Sequence, residues 1–145
     1  MSKSNTFEND LLLLVFNNTD IALIGDAAGL QNSAAAGSLY FSLHTADPGE
    51  AGDQTTSEIT YTSYARVAVA RSGAGFTVTA NAVAPAAAVT FPAGTGGSGT
   101  ATHFGIGASS SGAGKLLYKG ALSPTVVCGN GVTPQINAGT VVTED

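Results

Sequence analysis

The side chains able to do chemistry are few and scattered along 145 residues. His44, Asp47, Glu50 and Asp53 form the main concentration of ionisable groups. Carboxylates beside loop carbonyls suit a calcium ion, but this spacing lacks the alternating oxygen ligands of a calcium loop. It also reads as a solvated turn in which Asp47 accepts hydrogen bonds from nearby backbone amides. A third reading is favoured: Asp47-Pro48-Gly49 is a rigid turn that presents Glu50 to a neighbouring molecule. His103 could pair with Cys128 or a serine, yet no third, orienting group is visible for nucleophilic catalysis. Cys128 follows Val126 and Val127 and reads as a small, half-buried hydrophobe. His103 reads as a surface or interface residue. Residues 94–99 are glycine-rich, but no Gly-Lys-Ser/Thr string follows and a strand comes next, so no phosphate loop is expected. Arg66 and Arg71 either pair with acids on a neighbouring subunit or serve solubility. No catalytic residue, metal site or cofactor is expected.

Composition narrows the function classes. Only 10% of residues are charged, five are Lys or Arg, and the net charge is -5. Nucleic-acid binding needs several cations to neutralise phosphates, so the composition argues against it, and against anionic membrane surfaces as well. Soluble proteins carry about 25% charged residues. A surface this neutral suits lying against other subunits, because burying hydroxyls and methyls costs less than burying ions. The apolar run 11–16 is too short to span a membrane. Glu8 and Asp10 interrupt a signal-peptide pattern, so synthesis in the cytoplasm is expected.

The elements that must position these groups come in two kinds. Asn5 and Glu8 have capping-box spacing ahead of one short helix over 7–16. Phe7, Leu11, Leu14 and Val15 share a helical face, and Leu12, Leu13 and Phe16 widen it. Asn17-Asn18 ends the helix. Residues 21–24 are a short apolar piece that could form a strand, and 25–38 form a small-residue loop. From Leu39 onward short strands and turns alternate. In 39–44, Leu39, Phe41 and Leu43 face inward while Tyr40, Ser42 and His44 face outward. Further strands are expected over 59–70, with Tyr64 and Arg66 opposite the inward valines, and over 76–79, 82–91, 102–108, 115–122, 125–128 and 139–143. About eight or nine short strands, separated by turn signals, predict a mainly β chain with one N-terminal helix, an antiparallel sandwich or jelly roll. Within one compact domain, residues 1–38 are expected as a helix and docking arm and 39–145 as the β-sandwich.

The string Leu39-Tyr40-Phe41-Ser42-Leu43-His44-Thr45-Ala46-Asp47-Pro48-Gly49-Glu50 then carries a resemblance, together with Tyr61-Thr62-Ser63-Tyr64-Ala65-Arg66-Val67-Ala68-Val69. Val89-Thr90-Phe91-Pro92, Ala101-Thr102-His103-Phe104-Gly105-Ile106-Gly107 and Leu116-Leu117-Tyr118-Lys119-Gly120-Ala121-Leu122 extend it. The chain resembles small structural proteins of tailed bacteriophages and prophages, described as head decoration (cement) or tail-fibre-like proteins. The resemblance implies a virion component without enzyme activity.

The expected function is capsid decoration by a symmetric homo-oligomer, a trimer, bound to the major capsid protein or another virion protein. The alternatives are a tail, baseplate or fibre-attachment protein, and a receptor- or carbohydrate-binding module. Phe7, Leu11, Leu14, Val15, Asp47, Glu50, Tyr64 and Arg66 are the expected contact residues. Deleting residues 1–16 is expected to abolish incorporation and leave the β-domain folded.

Overall fold

A computed structural model describes residues 2–144. One helix, α1 (Asn5–Asn17), precedes nine strands: β1 (Ser38–His44), β2 (Val67–Ala70), β3 (Phe76–Thr79), β4 (Ala82–Pro85), β5 (Val89–Thr90), β6 (Ser98–Gly107), β7 (Leu116–Gly129), β8 (Gln135–Ile136) and β9 (Val142–Thr143). The fold is mainly β, as expected, and the sheet orders are β2-β1-β6-β7, β3-β4-β9 and β5-β8. The pairings β1–β6, β3–β4, β4–β9, β5–β8 and β6–β7 are antiparallel.

The chain forms two compact units. Unit 1 takes the residues up to Ser38, then Val69–Ala87 and Ala138 onward; unit 2 takes Leu39–Ala68 and Ala88–Asn137.

In unit 1 the helix lies against β3 and β4. Its N-cap is Ser4, one residue before the expected start: the Ser4 Oγ accepts from the Phe7 N–H at 3.4 Å. The serine hydroxyl is short enough to reach back to the third helical amide, so Asn5 becomes the first helical residue. Asn18 ends the helix in the left-handed region, and the Thr19 N–H donates to the Leu13 carbonyl at 3.1 Å. The buried stripe is Glu8, Leu12 and Phe16, spaced by four. Phe16 meets Phe76 edge-on at 4.9 Å, so the helix contributes core to its own chain. The expected strand at 21–24 reduces to a single bridge from Ile21 to Leu30.

In unit 2 the core is built from Leu39, Phe41, Leu43, Ile59, Phe91, Phe104, Ile106 and Ile136. Ser42 and His44, expected outward, are also buried, because the segment after His44 folds back over that face of β1. Residues 59–66 are not a strand. Ser63 sits at φ +79, and the amides of Ile59 and Thr62 bond to Leu43 and Gly96 carbonyls outside any named strand pairing. The two strands expected over 115–128 are one, β7. The register places Ala101 opposite Val126 and His103 opposite Ala121, so residues 122–125 bulge out opposite Thr102. The bulge accommodates Pro124, which has no N–H for the ladder. The single strand expected over 82–91 divides into β4 and β5, which belong to different sheets.

Candidate interaction surfaces

In unit 2 a polar network lies under the β6–β7 loop. The Arg66 side chain is 2% exposed and clasps Glu58 with two parallel bonds, Nε to Oε1 at 2.7 Å and Nη2 to Oε2 at 2.8 Å. Such a fork-to-fork pair fixes geometry as well as charge. Two of the three remaining guanidinium N–H groups go to the carbonyls of Ser109 (3.0 Å) and Gly112 (2.8 Å). The Tyr64 hydroxyl donates to Glu58 Oε1 at 2.8 Å and accepts from the Leu43 N–H at 3.1 Å. Burial, above all, raises the Tyr64 pKa, so the phenol stays neutral. The fully buried Gln54 accepts from the Ser109 N–H at 2.9 Å, and its own N–H donates to the Gly114 carbonyl at 3.0 Å. Together Arg66 and Gln54 hold the small-residue loop 109–114 from below.

The Asp47 turn forms as expected. Its Oδ1 accepts from the Gly49 N–H at 2.9 Å, and Gly49 sits at φ +73. Lys119 bridges both acids, at 3.0 Å to Asp47 and 3.1 Å to Glu50. The Gly49 amide and then Lys119 hold the Asp47 carboxyl below its ordinary range, while Asp47 and Glu50 push the Lys119 pKa up. These groups are exposed, so the pairing organises the loop more than it stabilises the fold. A small cleft beside them is lined by Gly52, Leu116 and Tyr118 among others.

In unit 1, Arg71 holds the C-terminal turn of α1. Its Nε and Nη2 donate to the carbonyls of Val15 and Leu14, both at 2.7 Å, and its Nη1 to Ala36 at 3.0 Å. These are carbonyls a helix end leaves without partners, and a cation there also meets the negative end of the helix dipole. Phe7 is 39% exposed, and Leu11, Leu14 and Val15 are half-buried.

The expected contact residues therefore fall into three groups. Tyr64 and Arg66 belong to the Glu58 network and find their partners in their own chain. Asp47 and Glu50 share Lys119. Phe7, Leu11, Leu14 and Val15 lie beside the buried stripe of α1, with Phe7 the most open. Glu58 and Gln54 carry no sequence signal for these roles, because their spacing from Arg66 and Ser109 follows no local pattern. Leu23, Ile24 and Leu30, in the segment expected as a short strand and a loop, are exposed aliphatics.

Among the described residues no cluster of His, Cys, Asp or Glu could hold a metal ion, and no helix is long and apolar enough to cross a membrane. Burial raises the Cys128 pKa, which keeps it a thiol.

A family model described as "Podophage GP4 fiber I protein gp80" matches residues 2–144. No curated protein matches the chain.

Proposed function

Because the chain belongs to the podophage GP4 fiber I protein gp80 family, we propose that it is a fibre subunit of a phage particle. At the coarser level it is a structural protein of a bacteriophage virion. The family match over residues 2–144 carries the fibre reading. The exposed side chains of unit 1 support it by offering a surface that another virion protein can cover. The chain works mechanically, as a symmetric homo-oligomer for which a trimer is the proposed state. Its partner is the major capsid protein or a neighbouring virion protein.

A second reading, a capsid decoration protein, is favoured by the 10% charged content, since a neutral surface suits dense packing on a shell. Copy number separates the two. The chain is quantified by mass spectrometry in purified virions against the major capsid protein. A few to a few tens of copies supports the fibre reading. A ratio near one to one, or a simple fraction set by shell symmetry, supports decoration. Absence from virions overturns both.

A further inference from the structure

The segment between α1 and β1 contains a small closed loop with an unusual tip. Ile21 and Leu30 exchange both backbone hydrogen bonds, at 3.0 and 2.8 Å, and so close its base. Asp26 Oδ1 accepts from the N–H groups of Ala28 (2.8 Å) and Gly29 (3.1 Å), which fixes the return. Gly29 sits at φ +70, and a Cβ there would lie 2.0 Å from the Ile21 carbonyl oxygen, so only glycine fits. At the tip Leu23 is held at φ +64 with its side chain 80% exposed, and Ile24 beside it is 43% exposed. Left-handed backbone is unfavourable for a leucine, and this leucine gains little burial within its own chain in return.

We infer that this loop is a preformed apolar plug for a concave, cation-rimmed pocket on a different virion protein. The inference rests on the virion reading above. Charge selects the occupant. Asp20 and Asp26 flank the tip, and no Lys or Arg occurs between Lys3 and Arg66. A second copy of this chain is a poor match, because four of its five cations are already engaged. Lys3 is bound to Glu144, Arg66 to Glu58, Lys119 to Asp47 and Glu50, and Arg71 to helix carbonyls. Two apposed copies of the loop would also bring like charges together. An aliphatic pair on a loop already closed by hydrogen bonds has little conformational freedom left to lose, which favours docking.

The test supplies full-length variants to phage that lack the gene and counts copies per purified particle. Leu23→Ser with Ile24→Ser should lower occupancy about thirtyfold or more, the scale of losing an interface hot spot, while melting temperature and oligomeric mass stay unchanged. Leu23→Gly relieves the positive φ while removing the side chain, so it should melt at the same or a higher temperature and still lose occupancy. Binding of the wild-type chain to particles lacking it should weaken as salt rises from about 0.05 to about 0.5 M. Wild-type occupancy by either variant overturns the inference, as does salt-independent binding. Loss of oligomeric mass in the double-serine variant also overturns it, by assigning the loop to a contact between copies. Absence of the wild-type chain from virions overturns the virion reading instead.

Discussion

Arg66 and Glu58 lie eight residues apart in an irregular segment, yet they form a two-bond ion pair in unit 2. Glu58→Ala leaves the buried guanidinium with only carbonyl partners. Breaking a buried pair from one side is costly, so a loss of about 3 kcal/mol is expected in urea unfolding. Phe7→Ala, at an exposed site, should stay within about 0.5 kcal/mol. His44 offers a pH test. Its Nδ1–H donates to the Thr56 carbonyl at 2.8 Å, which leaves Nε2 to accept from the Ser42 hydroxyl at 2.8 Å. Burial lowers its pKa below the ordinary 6.5, against upward pulls from Thr56 and Glu58 and with smaller downward ones from Arg66 and His103. The unfolded chain therefore binds a proton that the folded chain resists. The His44 contribution is full above the unfolded value of 6.5 and is lost progressively as pH falls through it toward the folded value. His44→Gln should flatten the fall of the urea midpoint below pH 6.5. An unchanged slope would place that dependence on another group.

At the scale of elements, α1 serves two faces. Leu12 and Phe16 are fully buried in unit 1, so Phe16→Ala should cost about 3–5 kcal/mol by chemical unfolding. Deleting residues 1–16 would strip the cover from β3, which revises the expectation that the β-structure would be left intact. Arg71 supplies the cation that the last turn of the helix lacks. Arg71→Met leaves the Leu14 and Val15 carbonyls without this donor and should lower stability by about 1–3 kcal/mol. Glycines separate by their surroundings in the same way. A Cβ on Gly94 would sit 2.0 Å from the Gly129 carbonyl oxygen, whereas one on Gly73 would meet nothing within 4 Å. Gly94→Ala should therefore prevent unit 2 from folding. Gly73→Ala should be neutral or stabilising by up to about 1 kcal/mol, since it only restricts the unfolded chain. Parallel melting curves of the two variants check the contrast.

At the scale of the whole molecule, the chain enters unit 1 three times, so neither unit is one contiguous stretch. A chain of residues 39–145 alone keeps β3, β4 and β9 but loses the helix that covers β3. Hydrogen exchange should then be fast at Phe76–Thr79 and slow at Ser98–Gly107, the partner of two neighbouring strands. Equal protection of both would show that the three-stranded sheet holds without the helix. By itself the sequence determined what local periodicity, turn chemistry and composition encode: the mainly β class, the single helix, the Asp47 turn and the low charge. Alternation in 39–44 showed which face of β1 carries the apolar side chains, but could not show that a later segment also covers Ser42 and His44. Helical spacing found an apolar face on α1 but not the stripe that is buried, because Leu12, Leu13 and Phe16 made the helix apolar nearly all round. Only the tertiary structure decided which cations are spent inside the chain and where Leu23 and Ile24 stand. Those outcomes depend on contacts between residues tens of positions apart, and no local pattern records them.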